Sequence, residues 1–185
     1  MNWTELLGAL LGLVAVALVV TRSLWNYPFA IASVALFGFV FLEARLYSDA
    51  LLQLFYVAVN GYGWWNWTRA RGRTGEVPVA TLTNPARAAI AAGCVVASLG
   101  WGALMQRTTD AAHPWWDGTI AVVSIVAQIL QSRRAWESWV LWILIDLLAI
   151  PLFIIKDLWM TAALYAVYLA LSIGGLAAWL RARRG

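Results

Sequence analysis

Seven long apolar runs, separated by short charged or Gly/Pro-rich breaks, occupy nearly all of the 185 residues. A helix needs about 20 mostly apolar residues to cross a bilayer. Only 12% of the residues are charged, against about a quarter in ordinary soluble domains. The sequence therefore predicts an all-α membrane protein with seven transmembrane helices in a single membrane domain, 1–185. The predicted spans are 3–20, 25–42, 49–67, 87–105, 117–132, 138–155 and 158–180.

The positive charges indicate the orientation of the chain. Of the 13 Lys and Arg residues, three lie on the side of the N-terminus and ten on the other side. Because cytoplasmic loops retain positive charge, we predict the N-terminus outside and the C-terminus inside. The leader MNWTE lacks Lys and Arg, so the first run is expected to remain as a helix and not to be a signal peptide. The basic residues form short clusters at the ends of runs, which argues against a nucleic-acid surface.

An internal repeat relates the third and seventh spans at a constant offset of 112 in the numbering. At helical spacing the matched residues fall on one narrow stripe of each helix. With Trp25 aligned to Trp139, the chain is predicted to be a parallel 3+1+3 repeat: three helices over 3–67, a connecting helix 87–105, and three helices over 117–180. A parallel repeat places a pathway on the pseudo-twofold axis. The matched residues are Gln53, Tyr56, Asn60, Gly63 and Trp67 in the third span, and Tyr165, Tyr168, Ser172, Gly175 and Trp179 in the seventh.

Asp146 is the most informative polar residue inside a span. It shares one face of the sixth helix with Trp139 and Trp142, a face that would suit a flat, positively charged ring. A purely structural alternative is that Asp146 pairs with a hydroxyl or an arginine of a neighbouring helix. Amides at membrane depth, which usually face a cavity or pathway, are Gln53, Asn60, Gln128 and Gln131.

The stretch NGYGWWNW, residues 60–67, has three possible explanations: an aromatic anchor at the membrane surface, a part of the core, or a stacking site. Asn60, Gly63 and Trp67 lie on the predicted stripe and are assigned to the pathway or its inner mouth. Trp65 falls outside that arc and is predicted to be the bilayer anchor, because tryptophan is enriched at membrane interfaces. Trp64 could serve either role.

No sequence motif supports an enzyme. Walker, HExxH and GxSxG patterns are absent, and a single cysteine, Cys94, gives no disulfide or metal spacing. We therefore predict no catalytic residues, no metal and no cofactor. An enzyme acting on lipid headgroups would need paired carboxylates, and Glu137 and Asp146 lie too far apart along one helix. A scaffolding subunit without cargo is the third alternative.

The chain resembles the PnuC family of bacterial vitamin transporters, which carry nicotinamide mononucleotide or nicotinamide riboside. The resemblance implies a fold similar to the SWEET sugar transporters, a homotrimer in the bacterial inner membrane, and facilitated diffusion of an unphosphorylated vitamin that a cytoplasmic kinase then traps. It covers residues 23–179. The stretches that carry it are QLFY at 53–56, NGYGWWNW at 60–67, WD at 116–117, SIVA at 124–127 and WVLW at 139–142, with Tyr165 and Tyr168 downstream.

The resemblance also implies a substrate site. Two positions depart from the pattern of riboside carriers, since Ser33 and Asp146 stand where asparagine can occur. Nicotinamide riboside is the expected cargo, with thiamine or riboflavin as alternatives. The implied site residues are Gln53, Tyr56, Asn60 and Trp67 from the first half, and Gln128, Trp139, Trp142, Asp146, Tyr165 and Tyr168 from the second.

Overall fold

A computed structural model describes residues 3–43, 47–72, 75–109 and 113–184. These residues contain seven α-helices, as predicted, and an isolated parallel bridge between Ala80 and Ala135. The helices are α1 Trp3–Val20, α2 Asn26–Glu43, α3 Tyr47–Arg71, α4 Asn84–Thr108, α5 Pro114–Ser132, α6 Glu137–Ile155 and α7 Trp159–Arg184.

Four of the described helices, α2, α4, α6 and α7, are long and apolar enough to cross a membrane. Helix α1 adds a shorter apolar stretch, Leu6–Val20. In α3 and α5, polar residues and tryptophans interrupt the apolar sequence. Charged residues end an apolar run without ending a helix, which is why α3 and α7 continue through basic residues to Arg71 and Arg184.

Helix α4 begins earlier than its apolar run because its first turn is capped. The Thr83 hydroxyl accepts a hydrogen bond from the backbone N–H of Ala86 at 3.4 Å, and Pro85 lies in the first turn. Threonine is a favoured N-cap, and proline fits the first turn because its missing N–H would have no partner there. These local signals place the start of α4 at Asn84.

The described residues divide into two compact units. One comprises those within 1–79, 132–134 and 177–185, and the other those within 80–131 and 135–176. In the first unit, the Ser33 hydroxyl donates to the Gly8 carbonyl oxygen at 2.7 Å and joins α2 to α1. In the second unit, Val123 and Ala127 of α5 pack with Ile145 of α6. The assignment of the whole chain to a single domain stays a prediction.

The helices before and after α4 have matching bounds. Adding 112 to the bounds of α1, α2 and α3 gives 115–132, 138–155 and 159–183, each within one residue of α5, α6 and α7. The turns after α1 and α5 also match at this offset. Arg22 and Arg134 both have positive φ, 57° and 66°. The next residues, Ser23 and Ala135, each donate a backbone hydrogen bond of 3.0 Å to a leucine carbonyl five residues earlier.

These turns change one detail of the sequence alignment. The sequence comparison paired Trp25 with Trp139, whereas the backbone pairs Tyr27 with Trp139. Both residues donate a backbone hydrogen bond to the residue three positions earlier, Tyr27 where α2 begins and Trp139 where α6 begins. Side-chain similarity favoured a two-residue shift because tryptophan matches tryptophan, but helix ends are determined by backbone hydrogen bonding.

Candidate substrate site

The stripes predicted on α3 and α7 lie on the less exposed faces of both helices. None of the ten stripe residues is exposed. On both helices the burial increases along the chain: Gln53, Tyr56, Tyr165 and Tyr168 are half-buried. The six residues that follow them are buried, namely Asn60, Gly63, Trp67, Ser172, Gly175 and Trp179.

Two predicted site residues on α6, Trp142 and Trp139, are each contacted by a neighbouring helix. The Trp142 indole N–H donates to Gln131 Oε1 of α5 at 2.7 Å. Trp139 is buried, and its ring lies directly against Gly175 of α7. Because these contacts restrict the ring orientations, the aromatic face of α6 is preorganised, not free to rotate.

Asp146, the third predicted site residue on α6, is 2% exposed, and its Oδ2 accepts a hydrogen bond from the Ser172 hydroxyl of α7 at 3.1 Å. A carboxylate inside a membrane span is costly unless it is paired or faces a polar pathway. The serine hydroxyl corresponds to the structural alternative considered for this residue, a hydroxyl on a neighbouring helix. That bond also fixes the carboxylate on the same helix face as the tryptophans.

The other predicted residues of the second half lie on α5 and α7 in the same unit. Tyr165 contacts Tyr168 edge-on, with ring centroids 5.9 Å apart, and Phe153 at 5.1 Å. Tyr165 also packs against the cluster of Val123, Ala127 and Ile145. Gln128 is half-buried on α5. The described structure thus places all six second-half residues within one unit.

The four first-half residues, Gln53, Tyr56, Asn60 and Trp67, lie along α3 in the other unit. The Asn60 side chain donates to the Tyr56 carbonyl oxygen of its own helix at 2.9 Å. Trp67 is fully buried, with its ring 5.4 Å from that of Tyr27 and 5.7 Å from that of Trp179. Trp67 is therefore part of a packed aromatic cluster. The Trp179 indole N–H anchors this cluster by donating to the Val19 carbonyl oxygen at 3.1 Å.

Glycine on each stripe allows an aromatic ring to contact the helix backbone. A Cβ atom at Gly63 would lie 2.7 Å from the Tyr27 hydroxyl oxygen, and one at Gly175 would lie 2.5 Å from the Trp139 ring. The sequence assigned Gly63 to the pathway or its mouth; close packing against Tyr27 accounts for this glycine directly. Tyr27 and Trp139 are 112 positions apart, which is the offset at which the helix bounds match.

Among the described residues, no three His, Cys, Asp or Glu side chains come together as a possible metal site. The model of the nicotinamide mononucleotide transporter family matches residues 2–181. The chain belongs to this family. The transporter is a multi-pass membrane protein and not an enzyme.

The transporter is similar to several characterised proteins over nearly its whole length. It is 28% identical to "Nicotinamide riboside transporter PnuC" of Escherichia coli strain K12, covering 100% of this chain and 87% of the relative. It is 34% identical to "Riboflavin/roseoflavin transporter RibM" of Streptomyces davaonensis, covering 98% and 87%. The crystal structure of the vitamin B3 transporter PnuC matches with a TM-score of 0.78 and 30% identity, covering 98% of this chain and 82% of that one.

Several residues that contact the predicted site were not among its predicted members, and Gln131, Ser172 and Tyr27 are examples. Gln131 had been singled out as an amide at membrane depth and Ser172 as a stripe residue, so both carried a sequence signal. Tyr27 had none, because its contact with the site residue Trp67 joins residues on different helices, α2 and α3. Local periodicity predicts which face of a helix is polar, but it does not identify the residue that packs against that face.

Two tryptophans of the 60–67 stretch that lie off the stripe, Trp64 and Trp65, are exposed in the transporter. Trp64 and Trp65 are 41% and 54% exposed, and the Arg69 guanidinium lies 4.9 Å from the centre of the Trp65 ring. This agrees with the expected difference between Trp65 and the buried Trp67. The role of Trp65 as a bilayer anchor stays a prediction.

Proposed function

We propose that this transporter carries an unphosphorylated B vitamin, nicotinamide riboside, by facilitated diffusion across the bacterial inner membrane, with trapping by cytoplasmic phosphorylation. The observation that carries the proposal is the α6 face on which Trp139, Trp142 and Asp146 are held by contacts from α5 and α7. Tryptophan rings stack on flat cationic rings, and a carboxylate provides the opposite charge. Nicotinamide riboside combines a flat cationic ring with a neutral sugar.

The proposed binding residues come from both halves of the sequence. In the second half, the hydrogen-bonded positions of Trp142 and Asp146 support the proposal most directly. In the first half, the support is the burial of the stripe on α3. The proposed substrate-binding residues are Gln53, Tyr56, Asn60, Trp67, Gln128, Trp139, Trp142, Asp146, Tyr165 and Tyr168.

For the architecture, the proposal is a parallel 3+1+3 repeat of SWEET type, with α4 as the connecting helix. The matching bounds of α1–α3 and α5–α7 and the matching arginine turns support this arrangement. The contact between Trp67 and Trp179 supports it as well, because residues equivalent under a twofold axis can meet each other on that axis. Seven membrane spans then follow, with the N-terminus outside and the C-terminus inside.

A homotrimer is proposed from the family resemblance, and native mass spectrometry in detergent would test it. Passive transport is favoured because Asp146 is the sole acidic residue in the middle of a predicted span, with no second acid for a proton relay. An inward gradient of protons or sodium should therefore leave uptake unchanged. A concentrative response to either gradient would contradict facilitated diffusion.

Thiamine, whose ring is also cationic, is the second candidate cargo. Riboflavin is the third, because the relative RibM is named as a riboflavin and roseoflavin transporter and is 34% identical. The carboxylate of Asp146 distinguishes these cargoes, since riboflavin is neutral and gains nothing from an opposite charge. On charge alone, the cationic vitamins therefore fit this site better than riboflavin.

Uptake into proteoliposomes tests the proposal. Radiolabelled nicotinamide riboside, thiamine, riboflavin and nicotinamide mononucleotide are compared for the wild type, Asp146→Asn and Asp157→Asn. Asp157 is exposed just beyond α6 and provides a matched control for loss of one carboxylate. We expect riboside uptake by the wild type and Asp157→Asn, and at least a tenfold loss of affinity in Asp146→Asn. Absence of uptake for every vitamin would refute the proposed function.

The scaffolding alternative is tested by binding. A carrier should be stabilised against heat by its vitamin, and Trp142→Ala should abolish that stabilisation. A protein without cargo shows no stabilisation by any vitamin of the panel.

A further inference from the structure

Helix α6 carries Trp139, Trp142 and Asp146, and an ion pair holds each of its ends. At its start, Glu137 Oε1 accepts hydrogen bonds from Arg87 Nε and Nη2 at 3.0 and 2.8 Å and from the backbone N–H of Leu82 at 2.9 Å. The Glu137 side chain is 10% exposed and that of Arg87 is 37% exposed, so the shielded partner of this pair is the carboxylate. Three donors on one shielded oxygen make this contact strong, because water competes poorly for it.

The contact at the other end of α6 is different. Lys156 Nζ lies 2.8 Å from both carboxylate oxygens of Asp117, at the start of α5. The two side chains are 30% and 41% exposed. Water and salt compete with an exposed pair of flexible side chains, so such a pair is easily broken. The two ends of α6 are therefore held with unequal strength.

Proline separates the two ends. Pro151 lies inside α6 and has no N–H to donate to the Leu147 carbonyl, which weakens the helix at that turn. In the same turn, the Trp116 indole N–H donates to the Leu148 carbonyl oxygen at 2.9 Å. Two adjacent residues at the start of α5, Trp116 and Asp117, thus hold the part of α6 around and beyond the proline.

We propose that Asp117 and Lys156 form a releasable clasp that closes the substrate path on the side where α5 begins, and that it opens by bending of α6 at Pro151. The Arg87–Glu137 contact keeps the start of α6 in place during this motion. Trp139, Trp142 and Asp146 precede the proline, so they retain their positions while the last turn moves. The inference rests on the proposed transport function, and it assigns the gating element of that path.

Charge neutralisation and charge exchange test the clasp. Asp117→Asn and Lys156→Gln each remove the pair, and the double variant Asp117→Lys/Lys156→Asp restores it with reversed polarity. We expect each neutral variant to raise the maximal rate of nicotinamide riboside uptake at least threefold, with the equilibrium dissociation constant unchanged within twofold. The exchanged variant should return to within twofold of the wild-type rate. Asp157→Asn, which removes a neighbouring charge outside the pair, should behave as the wild type.

Hydrogen exchange locates the motion. In the neutral variants the backbone amides of 152–158 should exchange at least threefold faster, while those of 138–146 exchange as in the wild type. Faster exchange with an unaltered uptake rate would mean that the pair only limits fraying, and would overturn the proposal. An unchanged rate, a lower rate or a failure of charge exchange to restore the rate would also overturn it.

Failure of the clasp and failure of the proposed function give different results. If the wild type neither binds nor transports any vitamin, the proposed function fails and the clasp fails with it. If the wild type transports the riboside but neutral variants are unchanged, only the clasp is wrong. The binding constant of the wild type therefore has to be measured first.

Discussion

The two three-helix groups of this transporter, α1–α3 and α5–α7, have nearly the same helix bounds but different chemistry at their middle helices. Their bounds match at the offset of the repeat. At the positions of Trp142 and Asp146 in α6, however, α2 carries Ala30 and Val34. Matching backbones therefore need not make matching halves of a site. The carboxylate of the proposed site, Asp146, therefore comes from the second group.

The groups also differ in their contacts with the residues that follow α3, namely the segment between α3 and α4 and the first turn of α4. Arg22, after α1, donates to the Val77 carbonyl oxygen at 2.8 Å and pairs with the exposed Glu76 at 3.5 Å. Glu137, at the start of α6, is shielded and accepts from Arg87. An exposed pair and a shielded pair should contribute very differently to stability.

Removing the arginine of each ion pair tests this difference in stability, and the largest loss of all the variants is expected at Arg87. Arg87→Met leaves the Glu137 carboxylate shielded without its cation and should lower the free energy of unfolding by about 3 kcal/mol. Arg22→Met should lower it by about 1 kcal/mol, because Glu76 remains in water. Reversible unfolding in detergent and denaturant measures both. Equal losses would show that shielding of Glu137 has no energetic consequence.

Glycine substitutions test whether the two groups pack alike. Gly63→Ala and Gly175→Ala should each destabilise the protein by about 2 kcal/mol, because the added methyl group meets the Tyr27 or Trp139 ring. Gly61→Ala and Gly174→Ala, next to open space, are the matched controls and should gain about 0.5 kcal/mol of helix stability. Thermal denaturation ranks the four variants. A stable Gly63→Ala with an unstable Gly175→Ala would mean that the tyrosine ring moves aside.

Replacing a polar residue of either stripe should change the free energy of unfolding by a smaller amount, and the loss should differ between the two stripes. Ser172→Ala removes a hydrogen bond from α7 to Asp146 of α6 and should cost about 1 kcal/mol. Asn60, which lies 112 positions before Ser172, donates within its own helix, so Asn60→Ala should cost about 0.5 kcal/mol. Unfolding measurements check both values. The contrast is wrong if Asn60→Ala is the more damaging change.

The smallest effect is expected at Trp65, an exposed tryptophan of α3. Trp65 has Ala177 as its counterpart in the repeat. Trp65→Ala should change the stability in detergent by less than about 0.5 kcal/mol, because surface substitutions rarely do more. Tryptophan quenching by brominated lipids should fall in this variant if Trp65 contacts the bilayer. Unchanged quenching would remove Trp65 as the anchor.

The number and order of helices could be predicted because seven apolar runs leave room for little else. The stripe on α3 was also predictable, since five residues at helical spacing define one face, and none of the five is exposed in the structure. The contact of Arg87 with Glu137 was not predictable from the sequence, because it joins residues 50 positions apart and no local pattern connects them. In the sequence, Glu137 was weighed only as a carboxylate too far from Asp146 for catalysis.

The partner of Asp146 shows where sequence reasoning stops. Its burial and a hydroxyl partner could be anticipated from the cost of a carboxylate in a membrane span. The choice of Ser172 depends on the rotation of α7 against α6, which close packing at Gly175 sets. Membership of the substrate site stays a prediction for all ten residues, because their chemistry was inferred and their contact with a vitamin is still to be measured.

The left-handed backbone at Arg22 has a consequence for engineering this protein. Exchange of a non-glycine residue at positive φ for glycine is a standard way to raise the melting temperature, since it relieves about 1 kcal/mol of backbone strain. At this turn the same exchange would remove the guanidinium that donates a hydrogen bond to the Val77 carbonyl oxygen. A heat-resistant variant must therefore retain Arg22, or the segment around Val77 must be redesigned. Glycine at this position would relieve the backbone strain but would lose the side-chain hydrogen bond.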